Sequence, residues 1–341
     1  MKIKSIWINL TSVCNNRCQY CYDAGNSANN ISIDMFDEII NLIKPLHIER
    51  LLLIGGEPTL HPEFFELANK CKDVAESLTV VTNGTRFHDR DFCMQLDKTP
   101  VTAVLMSLLG HNSLLHDNLT GRSGSFYELI EGFKNVSELT PKIKLFPTTT
   151  INSINQDYLK EILDFSKDIG AKEVIYNVCI PSFESDEVCV DPAKIASLIE
   201  DLYLHSKKKK VHLKINSNLP RCIFNQQIFN ELFDANRIIC VPCQLYRGNG
   251  YMLLSDGSLV SCTHLYNDIL INPITLNFSS ADLLSWFNSE EANAKRASHW
   301  KYPSQECTIC SKWLKQCIGG CPITWTKYDS NKYLKAIVEA T

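Results

Sequence analysis

Three cysteines fall within eight residues near the start of the chain: Cys14, Cys18 and Cys21, in "TSVCNNRCQYCYDAG". Thiolates are ligands for soft metals, so the spacing C-x3-C-x2-C asks for a metal ion or a cluster. A structural zinc closes its tetrahedron with four protein ligands. The nearest histidine, His47, stands beyond a predicted helix, so a zinc loop here would have to be finished from afar. Three thiolates on one short loop also suit a cubane [4Fe–4S] cluster in which one iron lacks a protein ligand and stays open to another molecule. A second group lies toward the other end. Cys222, Cys240, Cys243, Cys262, Cys307, Cys310, Cys317 and Cys321 are eight of the fifteen cysteines. Eight thiolates suffice for two fully ligated cubanes, while the pairs "CVPC" and "CTIC" taken alone also fit zinc ribbons.

The chain that must position these groups has 341 residues, 45% hydrophobic and 21% charged. That leaves room for one large α/β domain and a smaller one. A net charge of −4 gives no field for a polyanion, and no nucleic-acid partner is expected. The run "KKKK" at 207–210 reads as a solvated last helical turn that complements the helix dipole. No apolar run approaches the ~20 residues of a membrane span. "MKIKSIWINL" lacks the apolar core and cleavage site of a signal peptide. The chain therefore reads as cytoplasmic, with no membrane partner. Thiols stay reduced in that compartment, which favours ligands over disulfides.

Strands are predicted over 5–10, 50–56, 78–84, 101–110, 143–151 and 173–178. Helices are predicted between them, over 35–43, 62–74, 124–136 and 157–170, and a further one follows over 192–206. The first places Met35, Ile39, Leu42 and Ile43 on one face behind a capping Asp34. Alternating strands and helices with continuous apolar strands mean a parallel sheet covered by helices, either doubly wound or a partial barrel. After residue 215 the texture changes. Helical runs at 224–234 and 279–297 flank a β-hairpin over 251–262, turned by Asp256-Gly257. The expected division is 1–215 and 216–341.

The N-terminal motif, C-x3-C-x-aromatic-C with Tyr20 in the aromatic place, resembles the radical S-adenosylmethionine (SAM) superfamily. The resemblance implies a [4Fe–4S] cluster whose unique iron chelates SAM, and a 5′-deoxyadenosyl radical formed when one electron cleaves the sulfonium. Other stretches resemble the same family. "GGEP" (Gly55, Gly56, Glu57, Pro58) ends the second strand, where glycines let backbone approach a ligand and Glu57 offers an anion to a cation. "TNG", with Thr82 and Asn83, ends the third strand, and Ser107 ends the fourth. Arg122 in "HDNLTGRSGSF" is a further candidate, for the SAM carboxylate. Such strand ends are where parallel sheets place their sites. The resemblance covers roughly 5–215 and implies a partial (β/α)6 barrel.

The later cysteines, Cys243-x13-Gly257-x4-Cys262 and Cys307-x2-Cys310-x6-Cys317-x3-Cys321, resemble the SPASM extension of radical SAM enzymes, a small cysteine-rich α+β domain with two auxiliary [4Fe–4S] clusters. The pattern departs from the family's in one spacing and in lacking a cysteine after Cys321. The resemblance puts Cys243, Cys262 and Cys321 on the first auxiliary cluster, with Cys240 or Cys222 as fourth ligand. It puts Cys307, Cys310 and Cys317 on the second, whose fourth ligand is left open between Cys222, Cys240, a carboxylate such as Asp329, and none.

Cys71, Cys93, Cys179 and Cys189 remain. Cys71 and Cys93 read as core or surface residues of predicted helices. Cys179 ends the sixth strand; it is either a packed strand-end residue or a hydrogen-atom donor facing the radical.

Enzymes of this type mostly modify peptides, by cross-linking, epimerisation or oxidation to formylglycine. Thr263 stands where sulfatase-maturing members carry an aspartate base, which argues against formylglycine formation. The expectation is a maturase that cross-links a ribosomally made peptide, fed by a reductant such as flavodoxin or ferredoxin. Because few residues precede Cys14, any leader peptide would be recognised by a separate protein or by the barrel. The alternatives are a radical epimerase or dehydrogenase, possible also on a small molecule, and a non-catalytic iron–sulfur or zinc protein.

Overall fold

One sheet of eleven strands runs through the computed structural model, which describes residues 3–22, 29–181, 186–217, 219–239, 248–297 and 303–337. Strands β1 (Ser5–Thr11), β2 (Ile48–Gly55), β3 (Ala75–Thr82), β4 (Ala103–Ser107), β5 (Lys144–Ile151) and β6 (Glu173–Val178) are parallel and adjacent in sequence order. Between and after them come helices α1 (Ile33–Ile43), α2 (Phe64–Lys70), α3 (Arg90–Leu96), α4 (Ser113–Thr120), α5 (Ser125–Leu139), α6 (Leu159–Asp168) and α7 (Pro192–Lys209). This is the expected α/β architecture. Two more parallel strands, β7 (His212–Asn216) and β8 (Ile238–Ile239), extend one side, with α8 (Gln226–Asp234) between them. On the other side the hairpin strands β9 (Gly250–Leu253) and β10 (Leu259–Val260), followed by β11 (Ile269–Ile271), join the same sheet, β9 lying parallel to β1. The sheet ends at β8 and β11 and so remains open.

Alternation along each strand divides the two faces. Ile6, Ile8 and Leu10 of β1, and Val174, Tyr176 and Val178 of β6, pack with the helices in the main core. Trp7, Leu52 and Val81 point the other way, toward Ile54, Met252, Leu254, Val260 and Tyr266 in a smaller cluster. On β6 the same alternation sends Ile175 and Asn177 to that second face, and Asn216 on β7 donates to Asn177 across the ladder at 2.7 Å.

Several local expectations need correction. α1 is capped by Ser32, whose side chain accepts from the Met35 amide, while Asp34 lies inside the first turn. α4 was not expected. Asn112 caps it by accepting from Leu115 N–H at 3.0 Å, and its mixed polar sequence hides the helical period. The lysine run does end a helix, with Lys210 at φ +58, but it is not merely solvated. Lys207 pairs with Glu231 at 2.9 Å and Lys209 with Asp164 at 2.6 Å, tying α7 to α8 and α6. Among the described residues no helix is long and apolar enough to cross a membrane.

α4 also buries a titratable group. His116 Nδ1 accepts from the Leu109 amide at 3.2 Å, while Nε2 is buried with no partner among the described residues. Burial lowers its pKa to about 4. The folded state thus holds the ring neutral where the unfolded chain, at the ordinary value near 6.5, would protonate it. The associated stability is present above pH 6.5 and lost as pH falls toward 4, amounting to at most about 3 kcal/mol. Thermal melts between pH 7 and pH 5 should show this loss, and His116→Gln, which keeps an acceptor for Leu109, should reduce it.

Candidate active site and cysteine centres

The cysteine loop leaves β1 at its C-terminal end, and hydrogen bonds fix it on three sides. Asn9 Oδ1 accepts from Thr11 N–H at 3.1 Å, and Thr11 Oγ1 accepts from Val13 N–H at 2.9 Å, turning the chain out of the strand. The end of α4 supports the loop from below: Arg17 N–H donates to Thr120 C=O at 2.7 Å. The turn after β2 closes the third side, with Gly56 N–H donating to Thr11 C=O at 2.7 Å and Glu57 N–H to Val13 C=O at 2.8 Å.

These contacts explain the paired glycines of "GGEP". A Cβ on Gly55 would lie 2.2 Å from Thr11 O, and one on Gly56 would lie 2.7 Å from Val13 O. The close approach they permit in this chain is therefore to the cysteine loop's own backbone.

Glu57 is fully buried. Its Oε1 accepts from Thr59 N–H at 3.1 Å, from the Thr59 hydroxyl at 2.5 Å and from the Thr82 hydroxyl at 2.7 Å; its Oε2 accepts from Asn83 N–H at 2.6 Å. Burial raises its pKa, and the donors from Thr59, Thr82 and Asn83 oppose that rise. The carboxylate offered by the sequence to a ligand's cation thus braces the turns after β2 and β3. Asn83 carries the brace onward, its Nδ2 donating to Asn15 Oδ1 at 2.7 Å and lying 3.9 Å from Cys14 Sγ. Three motifs distant in sequence form one hydrogen-bonded unit at the strand ends.

The three thiols lie near one another. Cys18 is pushed up to about 12 by burial and then by the charges of Cys21 and Cys14. The Tyr20 phenol is raised by burial and also senses Cys18, Cys21 and Cys179. Both side-chain polar atoms of Asn16, inside the loop, are buried without a hydrogen-bond partner among the described residues. Three thiols outside any disulfide, with an unsatisfied carboxamide among them, fit an iron–sulfur cluster and its ligand. Cluster loading would deprotonate these thiols.

The other candidates are placed as follows. Pro58 opens the short turn Pro58–Leu60. Ser107 ends β4, half-buried, opposite Thr148. Arg122 does not stand free for a carboxylate ligand: its guanidinium holds Glu128 in a fork, with Nη1 and Nη2 each 2.7 Å from a carboxylate oxygen. The stretch around it forms the α4–α5 joint, where Asp117 accepts from Gly124 N–H at 2.7 Å and Phe126 N–H at 2.8 Å. Cys179 is buried just past β6, and Cys189 Sγ lies 3.7 Å from its Sγ. No role for Cys189 is expected from its place in the sequence. Tyr22 was also missed; its hydroxyl donates to Gly55 C=O at 3.4 Å and its ring meets His264 edge-on. The aromatic directly after Cys21 was the available signal.

Among the later cysteines, Cys222, Cys307, Cys310 and Cys317 line one cavity. Cys262 follows β10 and is half-buried, as is Cys321. Cys240 and Cys243 lie outside the described residues. Among the described residues no three His, Cys, Asp or Glu side chains converge closely enough to hold a single metal ion.

The three-thiol loop thus sits at the strand ends of an open parallel sheet, braced by the turns after β2 and β3. Residues 8–166 match the sequence model of the radical SAM superfamily. It is 28% identical over 215 residues to an AdoMet-dependent heme synthase of Methanosarcina barkeri, covering 60% of this chain and 59% of that protein. The chain thus matches under two thirds of that relative's length. It is 21% identical over 309 residues to a probable GTP 3′,8-cyclase of Thermococcus kodakarensis, covering 88% and 97%. In fold it resembles the crystal structure of Streptococcus suis SuiB bound to precursor peptide SuiA, with TM-score 0.72 at 19% identity, covering 98% of this chain and 75% of that one.

Proposed function

We propose that this radical SAM enzyme takes a hydrogen atom from a ribosomally made peptide and leaves a cross-link in it. When bound, the cluster and SAM supply a carbon-centred radical strong enough to break a C–H bond. The chain's own part is positional. Cys14, Cys18 and Cys21 would hold three iron corners, the Glu57–Thr82–Asn83 brace fixes their loop, and the second face of the sheet receives the substrate.

The observation that carries the cross-linking reading is the four-thiol cavity lined by Cys222, Cys307, Cys310 and Cys317. A cross-link removes two hydrogens from the peptide. One leaves as an atom and the other as a proton with an electron, so an electron acceptor is needed, and these thiols would hold one. The fold likeness to a peptide-bound enzyme over nearly the whole chain supports a peptide substrate, whereas the named sequence relatives point toward small molecules.

Epimerisation has its own supporting observation. The Tyr20 phenol on the cluster loop senses the Cys179 thiol, and in this reading that thiol would return a hydrogen atom.

Anaerobic incubation with SAM, reductant and a candidate precursor peptide separates these outcomes. The expected product is lighter by two hydrogens, about 2 Da, and carries a new link in tandem mass spectra. Solvent deuterium at unchanged connectivity would show epimerisation. An unmodified peptide beside accumulating 5′-deoxyadenosine would overturn the peptide reading.

A further inference from the structure

Spacing leaves the fourth ligand of the site of Cys307, Cys310 and Cys317 open. The C-terminal segment reaches the cavity. Lys335 and Ile337 line it, and Ser311 pins the segment by donating from its amide at 3.0 Å and its hydroxyl at 2.7 Å to Ile337 C=O. What the segment contributes is amides: Ile337 N–H points at Cys310 Sγ at 3.5 Å, and the Lys335 backbone bonds the Cys222 thiol. Gly319 N–H does the same for Cys317 Sγ at 3.3 Å. Amides aimed at sulfur are how proteins stabilise the charge of cluster thiolates.

The thiol that fills the vacant role comes from the opposite direction. Cys222 sits in the short turn Arg221–Ile223 after β7, and shares the cavity with Cys307, Cys310 and Cys317. Arg221 anchors that turn. Its guanidinium bonds Gln316 beside Cys317, as well as Asn230 and Gln226 of α8, and rests on the Phe229 ring. With Lys312 it adds positive charge around the thiols, as a net anionic cluster requires. Asp329 does not compete. It caps the turn Ser330–Lys332 through Asn331 N–H at 3.1 Å, and it is not among the cavity's lining residues.

We propose that Cys222 is the fourth thiolate of the cluster held by Cys307, Cys310 and Cys317, and that this cluster ties the turn after β7 to the C-terminal region. The proposal rests on reading those three thiols as cluster ligands.

The test uses the wild-type protein with its clusters reconstituted. It is alkylated anaerobically with iodoacetamide, before and after chelator removes the iron, and the labelled cysteines are mapped by mass spectrometry. The expected result is that Cys222 reacts at least about tenfold more slowly in the loaded protein and is released together with Cys307, Cys310 and Cys317. Cys71, buried and bonded to Leu67 C=O, should stay protected in both states and so separates burial from ligation. Labelling of Cys222 in loaded protein while the other three stay protected overturns the assignment and leaves the cluster intact. Labelling of all four there overturns the cluster reading and the assignment with it.

Discussion

Cys14→Ala should reduce 5′-deoxyadenosine formation from SAM to the level of a protein-free control. Of the three N-terminal thiols, Cys14 is the exposed one, and it sits where the brace ends, with Asn16 N–H at 3.4 Å and Asn83 Nδ2 at 3.9 Å from its sulfur. Two thiolates cannot hold a cubane with one open corner, so the variant should lose about four irons per chain along with the activity. Cys307→Ala provides the contrast. Its thiol lines the separate cavity, so SAM cleavage should persist while modified product disappears. Equal loss of both activities in Cys307→Ala would contradict the division of labour between the two thiol sets. Anaerobic turnover with chromatography of the nucleoside measures it.

The second large effect belongs to a residue with no side chain. A Cβ on Gly56 would meet the backbone at Val13 O, 2.7 Å, and at Ser12 O, 2.8 Å. Neither atom can move without shifting the loop that carries Cys14. Gly56→Ala should therefore cost about 1–3 kcal/mol of stability through overpacking. It should also cost on the order of a hundredfold in SAM cleavage, because the loop is displaced from its working geometry. Gly170→Ala is the control: it carries a φ of +91 but has no atom within 4 Å of the new Cβ, and it lies after α6, away from the loop. A Gly56→Ala protein with normal iron content and normal turnover would show that the tight packing of the two turns is unimportant.

The parallel sheet was legible because its strands are continuous apolar runs and its helices repeat at 3.6 residues. Met35, Ile39, Leu42 and Ile43 announce α1 in this way. The three thiols and the strand-end motifs were legible as residue types at short spacing. What remained hidden was set by partners far apart in sequence. Nothing near Glu57 says that Thr82 and Asn83 will occupy its carboxylate. The hairpin's place beside β1 depends on pairing between Trp7 and Met252, which no local pattern encodes. Spacing likewise left the choice between Cys222 and Cys240 open; the turn after β7, held by Arg221, brings Cys222 to the cavity.

In the proposed function, Cys14, Cys18 and Cys21 leave one iron open and SAM occupies it. Electron paramagnetic resonance of the reduced, reconstituted protein, with only the N-terminal cluster retained in a Cys222→Ala/Cys262→Ala/Cys307→Ala/Cys321→Ala background, tests this by titration with SAM. The expected result is a saturable change in the spectrum at about one SAM per chain. A spectrum indifferent to SAM, or a tetrahedral zinc bound to these three thiolates in X-ray absorption, would contradict it.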